Sequence, residues 1–154
     1  MKLSIVPMTW IIPTLAAVFI TTGCTKKENS AQNSAQTAAP AAAQSDLGIG
    51  PVKSLTLPAE IDSAMVAKGK TAFEAKCSAC HKFGERYVGP DLKDVTKRRK
   101  PEWIMNMILN PVEMTQKDEK AKELLGEYMT QMTFQNVSED EARQILEFLR
   151  DKDK

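Results

Sequence analysis

Five consecutive residues, Cys77, Ser78, Ala79, Cys80 and His81, hold two of the three cysteines of this 154-residue chain and its only histidine. Thiols and imidazoles serve as metal ligands, nucleophiles and redox groups, so three chemistries compete for the stretch. A structural zinc site takes four Cys or His ligands. The segment supplies three, there is no second histidine, and the remaining cysteine, Cys24, lies in a segment with a different expected fate. A redox Cys-x-x-Cys sits where a strand of a βαβ unit meets a helix. The residues ahead of Cys77 instead have helical periodicity, no convincing strand is found, and redox chemistry would leave His81 without a task.

Cys-x-x-Cys-His is the pattern of covalent c-type haem attachment. Two thiols one helical turn apart add across the two vinyl groups of a single porphyrin, and the adjoining imidazole is held under the iron as proximal ligand. One cofactor then uses Cys77, Cys80 and His81 together. The sixth position on the iron separates the functions that remain. Two protein ligands suit electron transfer, and an open position suits small-ligand binding or peroxide chemistry. With His81 already used, methionine is the expected distal donor and lysine the less favoured one. Met65, Met105 and Met107 fall in helical patterns, where methionine fills cores. Met114 follows Pro111 on an expected loop and stays open as a candidate. Met129 and Met132 flank the loop ahead of Ser138, where a side chain is free to turn toward iron; Met132 is the expected ligand and Met129 the alternative.

The chain begins with one lysine, an apolar run from Leu3 to Ile20 interrupted by Pro7 and Pro13, and small residues before Cys24. Prolines and a short basic flank favour an export signal over residues 1–23 rather than a membrane span. The ITTGC stretch resembles a bacterial lipoprotein cleavage box, with Thr21 where leucine is usual, and this resemblance implies that Cys24 becomes the first mature residue and carries a lipid. Within residues 24–57, those from Thr25 to about Ser54 are mostly Ala, Gln, Ser and Asn and cannot offset their ordering entropy. They are expected to form a tether, which at roughly 30 residues has a reach of about 30 Å. Removing Lys2 with the signal leaves 20 basic and 20 acidic residues. That balance gives no reason to expect a nucleic-acid partner.

Residues 58–154 read as one helical domain. Asp62 or Ser63 can cap a first helix running to about Lys76, with Met65, Gly69 and Phe73 on one face. A glycine inside a helix costs about 1 kcal/mol relative to alanine, so Gly69 predicts close approach of another element. Pro101 suits the first turn of a second helix ending at Leu109, and a third is expected over Gln116–Tyr128. Ser138 and Glu141 form a capping box for the last helix, whose apolar stripe is Ala142, Ile145, Leu146 and Leu149. These faces are thin for so small a domain, and a haem supplies the missing core. The expectation is an all-α fold of about four to five helices wrapped around one covalently bound haem.

Together these residues resemble a small class I c-type cytochrome over Ile61–Arg150. GPDL at 89–92 matches the family's segment in which a proline carbonyl accepts a hydrogen bond from the proximal histidine, a role that falls to Pro90. TKRRKPEWI resembles a stretch of a bacterial monohaem subgroup, and MTFQNVSEDEARQILEFL resembles its distal loop and final helix, with Thr133 where the family has proline. The resemblance sets Gly69 and Phe73 against Phe148 and Leu149. Arg98, Arg99 and Trp103 are candidate donors to haem propionates; the competing reading is a core tryptophan and a solvated basic run.

The function so implied is shuttling single electrons between respiratory partners, in the periplasm or on the outer face of the cytoplasmic membrane. A quinol-oxidising complex would lie upstream, and a terminal oxidase or nitrogen-oxide reductase downstream. The carrier would be a monomer, with Lys97 to Lys100 steering the encounter. The alternative is a haem-based sensor of small ligands whose sixth ligand is labile. A peroxidase is poorly served, because the only histidine is already committed.

Overall fold

The computed structural model describes residues 46–154; the expected signal 1–23, Cys24 and the first part of the tether lie outside the described residues. Six helices and no strand occur among the described residues. Helix α1 (Ser63–Lys76) starts because the extended Asp62 turns its carboxylate onto the backbone N–H groups of Ala64 and Met65, at 2.8 and 3.0 Å, satisfying donors that a helix start leaves open. The last helix, α6 (Glu139–Lys152), carries the expected capping box: Ser138 accepts from Glu141 N–H while the Glu141 carboxylate accepts from Ser138 N–H. Acidic residues in its first turn and basic residues in its last complement the helix dipole.

Helices α1 and α6 cross at Gly69. A Cβ there would lie 1.9 Å from the carbonyl oxygen of Gln144, so the two backbones touch and only glycine fits, as its place in the sequence predicted. The stripe of Ala142, Ile145, Leu146 and Leu149 is buried beneath the crossing. Phe73 meets Phe148 with ring centroids 5.4 Å apart, and Phe83 completes a trio at 5.4 and 6.0 Å from them.

A buried carboxylate strengthens the same joint. Glu147 is 1% exposed and accepts hydrogen bonds from Arg143, Arg150 and the Asp62 N–H. It therefore links the cap of α1 to the body of α6. Burial acts to raise its pKa, but the hydrogen bonds from Arg143, Asp62 and Arg150 outweigh it and hold the carboxyl below the usual range.

A short helix, α2 (Val95–Arg98), is held by Asp153, whose carboxylate accepts from the Asp94 and Thr96 N–H groups and the Thr96 hydroxyl. Helix α3 (Pro101–Leu109) has the predicted bounds, with proline in its first turn. The single helix expected over Gln116–Tyr128 is instead two, α4 (Pro111–Lys117) and α5 (Glu119–Tyr128). Pro111 opens α4, where its missing N–H costs nothing. Asp118 leaves helical geometry and caps α5 by accepting from Ala121 N–H at 2.9 Å. Met114, placed on a loop by the sequence, thus lies in α4, fully buried, with its sulfur 2.9 Å from the Ile49 nitrogen.

Residues 46–57, expected in the tether, pack against this part of the molecule. The buried Asn106 side chain accepts from Val52 N–H at 2.9 Å and donates to the carbonyls of Leu47 and Val52 at 2.8 and 2.9 Å. Leu55 N–H donates to Glu102, and Val52 is 4% exposed. The packed region therefore begins upstream of the expected boundary at 58. The strap stays in place because Val52, Ile49, Leu55 and Leu57 pack on the core and its backbone is hydrogen-bonded to a buried amide.

Gly69→Ala should destabilise the haem-loaded protein by about 3 kcal/mol, because the new methyl meets backbone that cannot yield; thermal unfolding measures it. Glu147 has a depressed folded pKa, so its stabilisation is present above the unfolded carboxylate value and lost as pH falls through the folded one. Glu147→Gln should accordingly be less stable than the parent at neutral pH and show a flatter stability profile below about pH 4.5, read by denaturant titration at several pH values.

Candidate haem site

Cys77 ends α1, its N–H still donating to Phe73, and the chain continues in a tight turn in which the Cys80 and His81 N–H groups both reach the Cys77 carbonyl, at 3.1 and 3.0 Å. This turn gathers both thiols and the imidazole on one side of the helix end. The chain then folds back on itself. Gly89 N–H donates to the Cys80 carbonyl at 2.8 Å and Leu92 N–H to the Lys82 carbonyl at 3.0 Å, so the GPDL segment lies over His81.

His81 Nδ1 is 3.1 Å from the Pro90 carbonyl oxygen. A carbonyl only accepts, so Nδ1 carries the proton and Nε2 presents a lone pair. Burial lowers the His81 pKa, and the Pro90 hydrogen bond opposes it less strongly; the imidazole is neutral, the form that ligates metal. Gly89 is needed for this arrangement, since a Cβ there would lie 2.6 Å from His81 Cε1. The sequence pointed to Pro90 and missed Gly89, though a glycine directly ahead of that proline was the available signal.

No disulfide joins the two thiols, Cys77 half-buried and Cys80 exposed. Burial pushes the Cys77 thiol up to about 11, the opposite of the lowered value that activates a redox Cys-x-x-Cys. Among the described residues no group of three or more His, Cys, Asp and Glu could hold a metal ion by itself.

Cys77, Cys80, His81, Gly89 and Pro90 line a cleft holding about 1140 Å³ of empty space, the solvent at its mouth included. Its wall is mainly apolar, contributed by Leu92, Trp103, Ile104 and Ile108 from one side of the chain and by Leu124, Leu125, Ile145 and Leu149 from the other. A flat, largely apolar macrocycle with two vinyl groups fits such a wall, and two thiols plus an imidazole with a free Nε2 fit its attachment.

The methionine candidates separate clearly here. Met132 lines the cleft, half-buried, on the irregular stretch between α5 and α6. Met129 caps α5 in the left-handed conformation, is 84% exposed and does not line it. Met107 also lines the cleft, from within α3, whereas Met114 does not. The proposed propionate donors do not gather there. Trp103 lines the cleft, but its only N–H donates to Asp118 at 3.1 Å. Arg98 donates to the Asp91 and Lys93 carbonyls, Arg99 lies 4.9 Å over the Trp103 ring, and neither lines the cleft. These three residues brace the protein around the α2–α3 corner, because the caps and carbonyls nearby had prior need of donors. Polar groups that do line the cleft, and that sequence pattern did not mark, include Thr115, Tyr128 and Gln131.

Described residues whose regular elements are all helices and which present two cysteines, a half-buried histidine and a methionine to one apolar cleft define a monohaem protein of the c type. The chain belongs to the cytochrome c family, whose model matches residues 66–152, and its cofactor is covalently attached haem c. It is similar to a cytochrome c from Rhodothermus marinus, at 46% identity over 73% of this chain and 96% of that one, with a TM-score of 0.67. An engineered cytochrome c from the same organism is 48% identical over 67% of this chain and 90% of that one, with a TM-score of 0.65. The same engineered protein bound to a carbene intermediate is 47% identical, covers 67% of this chain and 89% of that one, and has a TM-score of 0.63. No curated protein matches the sequence.

Gly89→Ala should push the His81 ring off the Pro90 carbonyl. The expected result is a haem-loaded protein less stable by about 2 kcal/mol, with an altered iron–histidine stretching frequency in the resonance Raman spectrum of a five-coordinate form. An unchanged frequency would mean that Gly89 and Pro90 do not orient the imidazole.

Proposed function

We propose that the protein is a one-electron carrier in which His81 and Met132 occupy the two axial positions of the haem iron. The observation that carries this reading is that the cleft faced by His81 is lined by a single methionine outside a helix, Met132. When bound, the haem supplies one-electron exchange between ferrous and ferric iron. Cys77 and Cys80 hold it covalently, and Pro90 keeps the imidazole in one tautomer and orientation. The soft thioether of Met132 would favour the ferrous state and the mainly apolar wall would lower the polarity around the iron, both raising the potential. With His81 and Met132 bound in both oxidation states, reorganisation would be small.

Docking with redox partners is supported by exposed apolar residues beside the cleft. Val88, which lines the cleft, is 41% exposed and its neighbour Tyr87 is 54% exposed; Phe134, 53% exposed, sits between the lining residues Thr133 and Gln135. A small apolar rim suits a transient contact. The basic run offers fewer free donors than its sequence suggests, because Lys97 pairs with Asp94 at 2.9 Å and Arg98 is turned onto carbonyls. Export and lipid attachment at Cys24 complete the proposal, resting on the leader pattern. Among the described residues no helix is long and apolar enough to cross a membrane. The electrons would come from a quinol-oxidising complex and pass to a terminal oxidase or nitrogen-oxide reductase.

Carbon monoxide added to the reduced, haem-loaded protein tests the ligand set. The parent and Met129→Ala should keep their absorption spectra on mixing, and Met132→Ala should convert to a carbon monoxide complex. Prompt binding by the parent would overturn the carrier reading in favour of a small-ligand sensor.

A further inference from the structure

Met132 sits on a stretch, residues 129–137, that has no helix or strand of its own. Near each end a non-glycine residue adopts the left-handed conformation, Met129 with φ 50° and Asn136 with φ 52°. Such residues persist only where their surroundings hold them. Lys76 donates to the carbonyl of Asn136 itself, Arg86 holds the two residues that precede Met129, and both cations flank the haem-attachment segment. Lys76, immediately before Cys77, places Nζ 3.2 Å from the Asn136 carbonyl and 3.0 Å from the Glu141 carboxylate. Its side chain is 28% exposed, that of Glu141 34%. Arg86, five residues past His81, donates to the Glu127 carboxylate at 2.7 Å and to the Glu127 carbonyl at 2.9 Å, and its guanidinium lies 4.0 Å from the centroid of the Tyr128 ring. Tyr128 lines the cleft and directly precedes Met129.

We propose that Lys76 and Arg86 are positioning residues that clamp the Met132 loop at both ends, and so set how readily Met132 leaves the iron. The inference rests on the axial role of Met132 proposed above. Its physical basis is conformational: Arg86 satisfies a carbonyl left open at the C-terminus of α5 and fixes the Tyr128 ring, while Lys76 occupies the Asn136 carbonyl and the capping glutamate of α6. With both ends anchored to the segment that carries the proximal ligand, the loop has few ways to swing its methionine out. Between the ends, Gln131 Nε2 donates to the Met132 carbonyl at 2.9 Å and Gln131 Oε1 accepts from the Thr115 hydroxyl at 3.0 Å, a further tie to α4 that Lys76 and Arg86 supplement from the attachment segment. An exposed ion pair is individually weak; the two together act on one loop and on one leaving event.

The test is the rate at which excess imidazole displaces the thioether from the ferric, haem-loaded protein, followed through the red-end absorption band of methionine-ligated iron. Lys76→Gln and Arg86→Gln should each speed displacement about threefold, and the double variant about tenfold. Lys76→Arg should return to the parent rate, because a guanidinium reaches the same two acceptors. Glu127→Gln should behave like Arg86→Gln and add little to it in combination. Parent-like rates in all of these variants would overturn the clamp while leaving Met132 ligation intact. Absence of the thioether band in the parent would overturn the ligation reading itself. Unfolding midpoints measured on the same samples guard against global loss of structure, and the surface substitution Glu127→Gln reads out the Arg86 contact without touching the attachment segment.

Discussion

Backbone contact between α1 and α6 at Gly69 is the constraint from which the site follows. Helix α1 delivers Cys77 at its end, and α6 begins where the Met132 loop finishes. Fixing the crossing point of these helices therefore fixes the separation of the two walls that must hold one flat cofactor. A methyl group at the crossing would intrude on the Gln144 carbonyl, so the distance is set by main chain rather than by compressible side chains. Aromatic packing of Phe73, Phe83 and Phe148 continues the contact toward the attachment turn. Glu147 locks it from the far end, because a buried carboxylate cannot leave its partners without a large desolvation cost.

The protein spends buried polar groups where a small domain has little apolar surface to use. Asn106 anchors the strap, Asp118 joins the cap of α5 to the Trp103 indole, and Asp153 holds the start of α2. No buried side-chain nitrogen or oxygen among the described residues lacks a partner. Satisfied networks of this kind specify geometry more sharply than a few additional leucines would. Their effect is to hold the helices apart around the cleft, which leaves an apolar chamber of a size that side chains alone do not fill.

Charges divide into those that build the protein and those free to meet a partner, and position in the fold decides which is which. Arg143 and Arg150 neutralise Glu147, Arg98 and Arg99 brace the corner after the GPDL segment, and Lys76 and Arg86 pair with Glu141 and Glu127. A run such as KRRK looks like a docking patch when read as letters. Most of its donors prove to be occupied by local carbonyls, a carboxylate and an aromatic ring.

Local chemistry was legible in the sequence wherever neighbours along the chain create it. The attachment turn, the capping box at Ser138, the bounds of α3 and the stripe of α6 depend on contacts within a few residues, so spacing alone determined them, and it narrowed the cap of α1 to Asp62 or Ser63. The glycine in α1 announced a crossing because its cost within a helix has to be offset by something. Other features were decided only by tertiary contact. Asp118 breaks the expected third helix while its carboxylate also accepts from Trp103, Met114 is buried because the strap lies over it, and the strap stays ordered because Asn106 waits fifty or more residues away. The placement of Met129 and Met132 belongs to the same class, since loop letters carry no direction: Met129, in the left-handed conformation, is exposed to solvent, and Met132 lines the cleft.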